Sequence, residues 1–157
     1  MRDMLEEYLE RMIAITVSAE MEILSVSGTD FAHLDYHRMR MARTLTAYQL
    51  FAHREMFHAL LSSRHAADVE CGQRLSVECN ALAEAMRAHA RKWAAQEPAA
   101  MWGEYRPAAL GLIERIRQHI LHARAGAKRL DRDERMPAEA MSYPADSYLR
   151  QMARTSL

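Results

Sequence analysis

Residues that interrupt helices are scarce in this chain: five glycines and four prolines in 157 residues. That scarcity argues against a fold built on tight turns and short strands, and favours long helices. Lysine is almost absent, occurring only at Lys92 and Lys128, so arginine carries nearly all the positive charge. The formal net charge is zero, which leaves no global field to recruit nucleic acid. Cysteine is limited to Cys71 and Cys79, eight residues apart on one predicted helix. At about 1.5 Å per residue the two stand roughly 12 Å apart, too far for a disulfide, so reduced thiols in a cytoplasmic protein are expected. No apolar run approaches the length that spans a membrane, and "MRDMLEEYLERM" is acidic where a secretory leader is basic and then apolar. Neither membrane insertion nor secretion is expected.

What is present is half hydrophobic, rich in Ala, Leu, Met and Arg, and patterned at helical spacing. The first seam runs Leu5, Leu9, Met12, Thr16, Ala19, Ile23 and Val26, predicting a helix over about 2–26. "SGTD" at 27–30 follows, with Gly28 as C-cap and Thr29 or Asp30 as the next N-cap. The second seam, Leu34, Met41, Leu45, Tyr48, Ala52, Met56 and Ala59, meets neither Gly nor Pro from 30 to 65 and predicts one long helix. The third seam is Leu75, Cys79, Leu82, Met86, His89 and Trp93, ending near "QEP" at 96–98. The fourth begins around Pro107 and runs Ala109, Ile113, Ile116, Ile120, Ala123, Ala127 and Leu130. The expected fold is all-α, an up-down-up-down antiparallel four-helix bundle over 1–130, with an extended tail at 131–157 that has room for one short helix. Tyr143, Tyr148, Leu149 and Met152 are the tail's candidate docking residues. The acidic first helix (Glu6, Glu10, Glu20) and the basic 106–129 stretch (Arg117, Arg124) are expected to be neighbours.

Three segments carry a resemblance: "LTAYQLFAHREMFHALL" at 45–61, "ARKWAAQEPAAMWGEYRP" at 90–107 and "IRQHILHARAGAKRL" at 116–130. Over roughly residues 4–130 the chain resembles the hemerythrin-like, or HHE cation-binding, superfamily of four-helix bundles. The resemblance implies a di-iron layer, with a His and an acid four residues later on both the second and fourth helices, because residues four apart project from one face and can grip one centre. Those positions fall on Tyr48 and Ala52, and on His119 and Ala123. His119 alone is a good ligand, so the resemblance implies the fold more strongly than the iron.

The other histidines give no complete site either. His53 and His58 are five residues apart, about 140° around an ideal helix. Glu55 and His58 form an ExxH, the spacing of ferritin-like carboxylate sites, but no second ExxH accompanies it. His33 and His37 have chelate spacing on a solvated first turn, suited to adventitious zinc or nickel. His89 and His119 fall on apolar stripes and are expected to point inward: His119 at the level of Tyr48, Leu82 and Tyr8, bonded to Tyr48, and His89 near Met41, Thr16 and Leu112, bonded to Thr16 or water. No nucleophile stands beside a base. The expected function is therefore non-enzymatic: a regulatory or protein-interaction bundle with a degenerate di-iron site, no cofactor, and a protein partner or homodimer through exposed methionines such as Met4, Met21 and Met39. Leu121 and Phe51 are also expected to point away from the seams. The alternative is a metal- or oxygen-binding protein using His119, Tyr48 and Glu20 or Glu55, with iron as its cofactor.

Overall fold

The computed structural model describes residues 1–25 and 31–135, with side chains to residue 132. Among them the chain is all-helical, in four helices. Helix α1 is Arg2–Ser25. Helix α2 covers 32–61 and is composite: an α-helix Ala32–Ala52, a π-helical turn His53–Phe57 and a last α-turn His58–Leu61. Helix α3 is Ala66–Ala95 and α4 is Trp102–Arg135. No described helix is long and apolar enough to cross a membrane. Val26, the caps expected at 28–30, and Met136, Met141, Tyr143, Tyr148, Leu149 and Met152 lie outside the described residues.

Each helix buries its stripe for the reason its spacing gives, and four polar seams order the helices. Between α1 and α4, Arg2 pairs with Asp131, Glu6 and Glu10 with Arg124, and Glu20 with Arg117. The acidic and basic helices are indeed neighbours. Between α1 and α2, Tyr8 packs on Tyr48 and Phe51 while Glu22 approaches His33 and His37. Gln49 bonds Asn80 and His53 faces Ser76 across α2 and α3. Asp68 with Arg129, Glu78 with His119, and Lys92 with Glu104 join α3 to α4.

Two apolar clusters fill the interior. The larger holds Leu9, Met12, Tyr48, Leu82 and Ile116; the smaller holds Ile23, Leu34, Trp93, Tyr105 and Ile113. The smaller one explains why α4 starts a turn before Pro107. Tyr105 is buried between Trp93, at 4.9 Å edge to face, and Trp102, stacked at 5.7 Å, and that packing holds 102–106 helical despite the amide hydrogen that proline lacks. At the other end α4 continues beyond Leu130 to Arg135, into the segment expected to be tail.

The second helix also departs from expectation. It ends at Leu61, and its π turn inserts one extra residue, marked by the His58 N–H bonding the His53 carbonyl. The stripe slips by one beyond Met56: Phe57 and Leu60 are buried, whereas Ala59, the seam position of an unbroken helix, is only half-buried. Phe51, expected outside, is buried against Tyr8. Leu121, Met4, Met21 and Met39 are exposed as expected, while Met101 packs on the smaller cluster.

Candidate functional site: a buried tyrosine, histidine and glutamate relay

Tyr48 sits on α2 and His119 on α4, each on the inner stripe of its helix and each 0 % exposed. The Tyr48 hydroxyl oxygen lies 2.7 Å from Nε2 of His119. On the other side of the ring, Nδ1 lies 2.5 Å from Oε1 of Glu78 on α3. A carboxylate accepts only, so Nδ1 carries the proton and donates to Glu78, while Nε2 accepts from Tyr48. The surface residue His122, one turn after His119, brings its Nδ1 to 2.8 Å and 3.1 Å from the same carboxylate. The result is a chain of hydrogen bonds from a fully buried phenol to the solvent edge of the α3–α4 seam.

Electrostatics follow from burial and these bonds. Burial is the largest influence on Tyr48 and, helped by the nearby Cys79 and Glu78, keeps its phenol well above the usual range, so it remains a donor. Burial likewise lowers His119, partly opposed by its bond to Glu78, and the imidazole stays neutral. For Glu78 burial pushes upward, but the hydrogen bonds of His122 and His119 together outweigh it and hold the carboxyl below its ordinary value. Sequence reading missed Glu78 and His122. The available signals were the i, i+3 pair His119 and His122, and the position of Glu78 next to the seam residue Cys79.

The donor set does not fit a di-iron centre. Both nitrogens of His119 are hydrogen-bonded, and the acid positions are the buried methyl groups of Ala52 and Ala123. Glu20 pairs with Arg117 on the α1–α4 seam, and Glu55 is exposed beside Arg54 in the π turn, so neither joins Tyr48 and His119. Among the described residues no group of three or more His, Cys, Asp or Glu side chains is arranged to hold a metal ion. His33 Nδ1 and His37 Nε2 stand 3.4 Å and 3.2 Å from Oε1 of Glu22. His58 is exposed, whereas His53 is half-buried and its Nε2 has no partner. The 140° separation of that pair assumed an unbroken α-helix; the π turn replaces that step with a bond from residue 58 back to 53.

The His89 level holds a cavity. Thr16, Met41, His89 and Leu112 all line it, with His37, Arg38 and Tyr105, in a wall otherwise apolar. Water-sized molecules have about 40 Å³ there. The Thr16 hydroxyl donates to the Ile13 carbonyl of its own helix at 2.8 Å and is not bonded to His89. Instead the His89 ring packs on Tyr105 and Trp93. Burial, with Arg38 and Lys92 nearby, brings its imidazole down to about 4.

No family model matches the chain, and no curated protein or solved structure is significantly similar to it.

Proposed function

We propose that the chain is a hemerythrin-like, up-down-up-down antiparallel four-helix bundle in which a hydrogen-bonded relay has replaced the di-iron layer. Its role is non-enzymatic and cytoplasmic: a regulatory or protein-interaction module working with a protein partner or as a homodimer. The bundle topology is supported by the polar seams, whose partners fall in reverse order of residue number, as Glu6 with Arg124 and Glu20 with Arg117. The observation that carries the functional reading is the state of His119. The one good ligand at the expected positions is closed on both nitrogens by Tyr48 and Glu78.

The alternative, a metal- or oxygen-binding protein, has one observation in its favour. His53 sits in a π turn, a feature frequent at functional sites, with a buried nitrogen that lacks a partner, and it is near enough for its charge to act on His119. Metal analysis and an absorption spectrum of untagged, aerobically prepared protein separate the readings. Colourless protein without oxo-bridge bands, and with iron far below two per chain, is expected. Stoichiometric iron overturns the relay reading and establishes the alternative.

A further inference from the structure

The cavity at the His89 level has a chemistry of its own, independent of the His119 layer. Arg38 lies on its wall, 7 % exposed, the one Arg, Lys, Asp or Glu side chain in the lining. Its guanidinium donates to the Tyr105 hydroxyl at 3.5 Å, to the Trp93 carbonyl at 3.2 Å and to the Asp35 carboxylate. Those bonds use three of the five N–H donors an arginine has. Asp35 pairs with Nη2 at the solvent edge, its own side chain 56 % exposed, and one N–H on Nε and one on Nη1 are left over. Since the Tyr105 oxygen accepts from Arg38, its own proton is left to donate, and neutral His89 adds an N–H. Nδ1 of His37 is buried on the same wall without a partner, and because Nε2 of that ring donates to Glu22 it stands there as an acceptor. The remaining charged groups nearby are Glu22, beside the far nitrogen of His37, and Lys92, which is paired with Glu104.

The donors of Arg38, Tyr105 and His89, in a lining that also holds Ile15, Leu112 and Ile116, define the occupant. We propose that this cavity binds a short-chain monocarboxylate, its head group on Arg38, Tyr105 and His89 and its hydrocarbon chain among the apolar residues. A cation would meet Arg38. A second carboxylate would be buried among aliphatic side chains, and a hydrocarbon would leave the donors unmatched. The size agrees: one water needs about 10–15 Å³ of such space, so the cavity holds roughly three waters or an acid of a few carbons.

The test uses sodium butyrate against its isosteres 1-butanol and butylammonium, followed by calorimetry and by the ring nitrogen resonances of His89. Butyrate should saturate one site per chain and shift the His89 ring signals toward the protonated form. Butanol should bind at least about tenfold more weakly, and butylammonium should leave the ring signals unmoved. Arg38→Gln should abolish the preference for butyrate over butanol. Ala109→Leu, which fills the cavity from α4, should abolish binding, and it decides the matter alone should Arg38→Gln fail to fold. Equal affinity for butanol and butyrate, no saturation by butyrate up to roughly 10 mM, or binding that survives Ala109→Leu would each overturn the proposal.

Discussion

Tyr48→Phe deletes one hydroxyl and leaves Nε2 of His119 buried with no donor, which should cost about 1–3 kcal/mol. Adding His119→Leu removes the orphaned acceptor, and the double variant should recover part of that loss in a urea titration. A double variant less stable than the sum of the two singles would mean that the relay does more than satisfy itself. Leu82→Ala, in the same core, should cost about 2–5 kcal/mol through the cavity it opens. The pH dependence has a definite sign. In the unfolded chain His89 takes its proton below about 6.5, whereas in the fold it stays neutral down to about 4. Between those values the unfolded state binds more protons, so the stability present above pH 6.5 is lost as pH falls toward 4. The depressed carboxyl of Glu78 adds a further loss below its ordinary 4.5. Urea midpoints measured without carboxylate buffers should therefore drop through this window, and His89→Gln should flatten the upper part of the drop.

At the scale of elements, α2 offers a clean test, because its π turn is equivalent to one inserted residue. Deleting exposed Glu55 should let 53–58 close as ordinary α-helix and keep Leu60 in the core. Deleting exposed Arg43 instead turns the upstream seam by about 100° against the rest and should unfold the protein. Equal damage from both deletions would refute the insertion reading. Beyond the π turn, α2 lies so close to α3 that a Cβ on Gly72 would stand 2.9 Å from the Leu60 Cβ, so Gly72→Ala should destabilise. Gly111, with open space around it, should gain up to about 1 kcal/mol as alanine. These particulars mark what the chain made legible. The four helices follow from 3.6-residue stripes, and the meeting of Tyr48 with His119 follows from aligning those stripes by level. The π turn left no mark, since "HREMF" has no breaker and the slip from Ala59 to Leu60 exchanges one apolar residue for another. The early start of α4 depends on Tyr105 finding Trp93, a contact between distant segments that local spacing does not encode. Glu78 was hidden because a carboxylate beside an apolar stripe looks like solvated surface until its partner on α4 is known.

At the scale of the whole molecule, the exposed apolar side chains bear on association. Val17, Met21 and Leu24 recur at helical spacing on the outside of α1, and Tyr36, Met39 and Leu50 are exposed on α2. We expect a homodimer by light scattering at micromolar concentration, with Met21→Glu and Met39→Glu shifting it toward the mass of one chain. A single-chain mass for the unaltered protein would leave a different partner as the occupant of that surface. The ion pairs between α1 and α4 are half-buried at the surface and reached by solvent, so high salt should change the unfolding midpoint little.

The two thiols make α3 its own reporter. Cys79 is wholly buried and its thiol is pushed up to about 12, so a disulfide reagent at mild alkaline pH can reach it only when the interior opens. Cys71 stands about two turns nearer the N-terminus of α3, also buried and also free. Labelling rates at the two positions therefore time two depths of one helix in unaltered protein. Equal rates would mean that α3 opens as one unit, and faster loss at Cys71 would show that the N-terminal end of α3 breathes by itself.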